Sequence, residues 1–353
     1  MSGKRKRPRK LFRRILVLVL LGLLLLGAWI FQGVATVSKT PTTLIRFEKP
    51  ISLDAALNEL KKRELIGNPS AYAMFARLTN KSREIRTGTY RVVLTRGPIA
   101  LLDSLSRPVV KKVRLPETNW ARRNANILER AEVCRADEYM DLVKRPQEFQ
   151  ALFKFPLPPD SLEGYLYPDT YELPPLLGAR GVILRQLLAF QRKVWEPLKS
   201  PKNLHRLLTI ASLVELETKL SRERPMVAAL IENRLKKGMR LQIDASINYG
   251  LQKWRPLARS EYKTVESPYN LYLHDGLPPT PICSPTFTTI RDSMDPDTHP
   301  YLYYVALPDG RSLFSESFDE HRQNIKRRKA AIKALESANA GDQNPLDRVG
   351  APQ

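Results

Sequence analysis

The stretch ASLVELETKLSRERP, Ala211–Pro225, decides how the larger part of this chain is read. With the preceding NLHRLLTI it forms a helix in which, at 3.6 residues per turn, Glu215 projects within about 20° of Leu204. Glu215 therefore lies among Leu207, Leu208, Ala211 and Val214. Glu217 points about 200° away from it, beside Ile210, so the two carboxylates cannot act as one pair. Two explanations of Glu215 stand. An ordinary helical acid pairs with Lys219 one turn on, or with Arg234 or Arg240 of the next element. A carboxyl kept protonated by leucines is instead a proton donor for a leaving group.

Upstream, TLIRFEKP and TYRVVLT read as strands. Between and after them come helices: SLDAALNELKKREL capped by Ser52, SAYAMFARLTN capped by Ser70, and PIALLDSLSR opened by Pro98. This small α+β unit has no acidic pair suited to catalysis, which points to binding or spacing. KKVRLPE reads as a linking strand, followed by the helices NWARRNANILERAEVC and ADEYMDLVKRPQEFQALF. Leu162–Pro175, LEGYLYPDTYELPP, reads as a surface loop or short strand pair whose tyrosines either pack or stack on sugar rings. ARGVILRQLLAFQRKVWEPL and MVAALIENRLKKG are helices, the second stopped at Gly238. Tyr301–Ala306 and Ser312–Phe314 read as a strand pair, and Asp319 caps a basic helix ending near Ala338, before a tail of disordered composition.

The 353 residues suffice for about two domains. The net charge is +22, and the first fourteen residues hold eight Lys or Arg, so the rest still carries 50 basic against 36 acidic side chains. Such a surface attracts polyanions. Ile15–Ser38 contains no charge over 24 residues and as a helix reaches ~36 Å, enough to span a bilayer. A cleaved signal peptide is the rival reading, but the apolar run is long for one, and Trp29 and Phe31 suit an interfacial belt. Basic residues ahead of the span keep the N-terminus cytoplasmic, so residues after about 40 lie outside, away from nucleic acid. Cys134 and Cys283, with four scattered His, suggest no metal or redox site; the two cysteines are either small core residues or, in an oxidising compartment, one disulfide.

Several ordered pieces carry a resemblance. IASLVELET, ERPMVAALIENRLKKGMRLQIDASINYGL, SPYNLYLHDGLPPTPICSP and HPYLYYVALPDGRSLFSESFDEHRQ resemble the catalytic region of the endolytic murein transglycosylases, membrane-anchored enzymes that cut peptidoglycan strands. EGYLYPDTYEL matches an upstream motif, and the N-terminal unit resembles the family's LysM-like subdomain; the likeness covers about residues 10–330. Thr280 where Gly is usual, Ala245 where Pro is common and Arg322 for Asn depart from the pattern and bear on loop geometry and substrate fit.

The resemblance implies an α+β fold with a cytoplasmic basic arm (1–14), a transmembrane helix (15–38), a LysM-like subdomain (39–115), a larger mixed α+β catalytic domain (116–338) and a disordered tail (339–353). It implies a lyase of the bacterial inner membrane that limits the elongation of nascent strands, with peptidoglycan as substrate, peptidoglycan synthases as neighbours, and no cofactor or metal. Glu215 stands on the position of the family's catalytic glutamate. There it protonates the oxygen between MurNAc and GlcNAc, the sugar's own C6 hydroxyl captures the cation, and Glu215 retakes the proton, leaving a 1,6-anhydroMurNAc end. Gln242, Asp244, Tyr269 and Asn270 lie in matching motifs and either line the glycan cleft or serve structure, Asp244 capping ASINYG and Asn270 holding the turn before LYLHDGLPP. Two other functions stay open: a hydrolytic muramidase using Glu215 with a second acid such as Asp244, and a catalytically silent peptidoglycan-binding scaffold.

Overall fold

The computed structural model describes residues 8–33, 40–81 and 83–342, and it has the mixed α+β composition expected. Most of the basic arm (1–7), the end of the apolar run (34–39) and residues 343–353 of the tail lie outside the described residues. The first helix, α1 (Pro8–Gly33), includes the stretch Phe12–Gly33, mean hydropathy 2.6, which is long and apolar enough to cross a membrane.

The chain divides into two compact units. The first comprises residues 1–112 with two returning pieces, 131–134 and 172–177, so the division is not a single cut near residue 115. The returning pieces are fastened by hydrogen bonds: Leu176 N–H donates to the Glu132 carbonyl (2.8 Å), Lys111 Nζ to the Glu132 carboxylate (2.7 Å), and Thr89 Oγ1 to the Pro175 carbonyl. In this unit β1 (Thr42–Phe47) is followed by α2 (Leu53–Lys62) and α3 (Pro69–Leu78), then by β2 (Gly88–Val93) and α4 (Gly97–Ser104). β1 and β2 pair antiparallel, Leu44 opposite Arg91, over a core that includes Leu57, Leu60, Tyr72, Tyr90 and Leu101. Ser52 caps α2 as expected, accepting from Ala55 N–H (3.2 Å). α3 starts earlier than expected, because Asn68 rather than Ser70 accepts the first free N–H groups and Pro69 supplies the opening helical φ.

After β3 (Lys111–Leu115), the chain forms α5 (Ala121–Arg130), α6 (Ala136–Val143), the short α7 (Gln147–Gln150), β4 (Asp169–Leu173), whose last two residues belong to the first unit, and, in the second unit, α8 (Ala179–Phe190), which runs into a π-type turn at Gln191–Trp195. The centre of the second unit is α9 (Leu204–Glu217) with α10 (Arg224–Lys236). α11 (Asp244–Gly250), α12 (Glu261–Thr264) and α13 (Phe287–Met294) follow, then the antiparallel pair β5 (Tyr303–Ala306) and β6 (Ser312–Ser315), and α14 (Phe318–Asp342). α14 continues past Ala338, where the helix was expected to end. Every residue of α9 from Leu207 to Glu215 is buried, so this helix is enclosed on all sides. Ile210, Leu213 and Val214 pack with Val227, Ile231, Leu241, Ile243 and Ile282 in one core.

The segment Leu162–Pro175 is not a surface loop in its first half. Leu162, Glu163, Tyr165 and Leu166 are all buried, and the Tyr165 ring packs against Phe155, Phe190 and His205, so Tyr165 is a core residue. Gly164 has φ +83°, and a Cβ there would meet the Pro281 ring at 2.5 Å. Gly164→Ala is expected to cost about 2–4 kcal/mol, the left-handed backbone and the collision with a rigid ring both contributing. A urea midpoint within error of the parent's would contradict this.

Candidate active site

α9 ends at Glu217, because Thr218 takes extended backbone (φ −136°, ψ 135°). Glu217 thereby lines a cleft of about 360 Å³ together with Arg234, Gln242, Asp244, Tyr304 and His321. Burial pushes the Glu217 carboxyl up from 4.5 to about 7; the Asp244 charge adds to this and Arg234 opposes it. The Tyr304 hydroxyl donates to Glu217 Oε2. A half-buried carboxyl beside a second carboxylate, in an open cleft, is placed to hold a proton near neutrality and to give it to a bound molecule.

Asp244 opens α11, and its side chain serves neighbours rather than the helix. Its two oxygens accept from the hydroxyls of Tyr272 (2.6 Å) and Tyr262 (3.0 Å), whose rings meet edge-on at 4.7 Å. Burial, with the hydrogen bond to Asp244, pushes both phenols up, so they remain donors and hold the carboxylate in place. Gln242 is exposed at the cleft with φ +54°, a left-handed conformation that costs a non-glycine residue about 1 kcal/mol and clusters at functional sites. Its N–H donates to the Leu271 carbonyl (3.1 Å), which keeps it there. Arg234 is buried; Nε donates to the Leu302 carbonyl (2.7 Å), Nη1 to that of Leu241, and the guanidinium lies over the Tyr303 ring. It builds a wall of the cleft by joining the approach to β5 with the segment before α11.

Glu215, expected in the cleft as the acid, is not among its lining residues. Its Oε2 accepts from Thr286 N–H (2.8 Å) and Thr286 Oγ1 (3.0 Å), and its Oε1 lies 3.7 Å from Arg224 Nη2. Thr286 caps α13 and Arg224 opens α10, so the carboxylate sits where two helix N-termini converge, a favourable place for negative charge. Its cationic partner is Arg224, not Lys219, Arg234 or Arg240. Tyr269 and Asn270 also lie outside the cleft lining. Tyr269 shares a hydrogen bond with Thr280 (2.9 Å) and packs on Tyr249. Asn270 is fully buried; it donates to the Val265 (2.9 Å) and Tyr262 (3.3 Å) carbonyls and accepts from Tyr272 N–H, which holds the turn. Cys283 is a small core residue whose thiol is directed at the Ser212 carbonyl.

Glu163 is a second carboxyl pushed up to about 7, by burial, with the Ala121 N–H and the Tyr249 hydroxyl opposing the shift. It is enclosed, and both its oxygens accept from Ala121 N–H (3.1 and 2.9 Å), so it caps α5 and has no access to a substrate. Glu217 differs in facing open space. Helical periodicity does not single it out, because a wheel separates one buried face from one open face, whereas α9 is buried all round from Leu207 to Glu215. The signal that it ends the helix was present in Thr218, a β-branched residue before the break.

A crystal structure of a yceG-like protein from Listeria monocytogenes shares the fold, with TM-score 0.52 at 24% identity over 80% of this chain and 98% of that one. The endolytic murein transglycosylase of Bacillus subtilis (strain 168) is 27% identical over 331 residues, 87% of this chain and 90% of that protein. The endolytic murein transglycosylase of Streptococcus pneumoniae (serotype 2, strain D39) is 27% identical over 302 residues, and there the match spans 75% of this chain but only 54% of the relative. With 46–327 matching as one continuous region, the cleft and the core that carries it included, the chain belongs to the YceG-like family.

Proposed function

We propose that this protein is a peptidoglycan lytic transglycosylase in which Glu217, rather than Glu215, is the acid. The observation that carries the assignment is a carboxyl pushed to about 7 at an open cleft it shares with Gln242 and Asp244. The name and near-complete coverage of the Bacillus relative support the reaction class. In this reading Glu217 gives its proton to the oxygen linking MurNAc to GlcNAc, the C1–O bond breaks, and the ring's own C6 hydroxyl bonds C1 in place of water, its proton returning to the Glu217 carboxylate. The product is a 1,6-anhydroMurNAc end on a nascent strand. Asp244, positioned by the hydroxyls of Tyr272 and Tyr262, sustains the proton on Glu217 and offsets the positive charge that develops on the sugar. Gln242 offers an amide to sugar hydroxyls. Unit one, in which the described residues form no such site, is assigned to holding or spacing the strand in the manner of a LysM-like subdomain, and α1 to anchoring the chain in the inner membrane.

Because Asp244 and Glu217 line one cleft, a hydrolytic muramidase using this pair is the second reading. Mass spectrometry of the ends made from uncrosslinked glycan by detergent-solubilised full-length protein separates the two. Anhydro ends are expected; reducing ends would select the hydrolase, and uncut strands that still bind would leave a scaffold.

A further inference from the structure

His321 lines the same cleft from α14, and the chemistry above does not use it. Its ring stacks on Tyr303 (5.3 Å between centroids, 25° between planes) and lies near Phe318. Nδ1 is enclosed and has no hydrogen-bond partner among the described residues, which leaves Nε2 as the ring nitrogen that meets the cleft. An enclosed N–H without an acceptor is far less tolerable than an enclosed lone pair, so the proton belongs on Nε2. Burial, aided by the Arg234 charge, holds the imidazole below its usual 6.5, and at neutral pH the ring is uncharged. The titratable groups that share its cleft or touch its ring are Arg234 from α10, Tyr303 and Tyr304 from β5, Glu217 from α9, Asp244 from α11 and Tyr272 from the segment after α12. β6, which also packs on α14, has none, and Asp319, Glu320 and Arg322 of α14 itself are exposed.

Toward the cleft His321 therefore presents a donor and no acceptor, its one lone pair being enclosed on Nδ1. Sugar hydroxyls both give and accept, and an amide such as Gln242 serves them better. The strong acceptor-only group on each sugar of the strand is the acetamido carbonyl. We infer that His321 is a specificity-determining residue whose Nε2–H donates to an N-acetyl carbonyl of the bound glycan, so that the cleft selects N-acetylated over N-deacetylated strands. This rests on the glycan-cleaving reading of the cleft.

The test is a cycle of two substrates and two proteins: N-acetylated and chemically N-deacetylated uncrosslinked strands, cut by full-length parent and by His321→Phe, which keeps a ring on Tyr303. The parent is expected to prefer acetylated strands in kcat/KM, and His321→Phe to lose about 10-fold or more of that preference, the effect of stranding a polar partner. His321→Gln, which still offers an N–H, is expected to recover most of it. Equal preference in parent and His321→Phe overturns the inference, including the case where the ammonium charge of deacetylated sugar alone causes discrimination. Should His321→Phe fail to fold by circular dichroism, His321→Asn against His321→Leu makes the same comparison. Loss of cleavage in Glu217→Gln with no coupling at His321 sinks this inference alone; retained cleavage in Glu217→Gln sinks the reading beneath it.

Discussion

Glu217→Gln is expected to lower turnover by about 10²–10⁴-fold, the usual worth of a general acid, and at the same time to stabilise the fold at pH 8. The two effects have one cause. The folded protein holds a proton on Glu217 up to about pH 7, whereas the unfolded chain releases it near 4.5. Below 4.5 both states are protonated and nothing is lost. As pH rises from 4.5 to 7 the unfolded chain gives up the proton first, so stability falls, and above 7 the whole deficit of about 3 kcal/mol is in place. A glutamine never ionises and still accepts from Tyr304, so it escapes the deficit. Melting temperatures should therefore diverge at pH 8 in favour of the variant and converge near pH 4, while cleavage is lost at every pH. A Glu217→Gln protein with parental turnover, or equal stability at both pH values, would remove Glu217 from its role. The trade of stability for activity is the ordinary mark of a functional carboxyl.

At Glu215 the expectation is reversed. Arg224→Ala should destabilise the second unit by about 3 kcal/mol or more, because it leaves a buried carboxylate without its cation. The side chains of the pair are 13% and 5% exposed, and Arg224 also donates to Thr288 (3.1 Å), tying the start of α10 to α13. Glu215→Gln should cost far less, since its amide oxygen can still accept from Thr286 N–H. In such a variant turnover per folded molecule stays close to parental. Denaturant midpoints and specific activity measured on the same preparations check both statements. Parental stability in Arg224→Ala, or dead but well-folded Glu215→Gln, would show that the carboxylate here is not structural.

Much of the fold was legible in the residues. Short runs rich in β-branched and aromatic residues marked β1, β2, β5 and β6, and Ser52 marked the start of α2 through its side-chain oxygen. Local chemistry sufficed because the interactions that define these elements lie within a few residues. It failed at Ser70, where Asn68-Pro69 made the better start, and at Leu162–Leu166, where turn-forming residues are swallowed by packing from distant rings.

Gln242 and Asp244, which the resemblance put forward as cleft or structural residues, line one cavity with Glu217. The choice between Glu215 and Glu217 was not legible along the chain. Helical spacing states the angle between two side chains, about 200° here, but not which of them meets open space. That is set by what covers each side: Thr286 and Arg224 close over Glu215, and the Thr286 contact spans 71 residues. Tyr304, Asp244 and His321 leave the Glu217 side open, and the Tyr304 contact spans 87. The sequence alone determined that a carboxylate-bearing helix lies at the heart of an α+β unit; only the packing of remote segments around an enclosed helix decided which carboxylate meets the cleft.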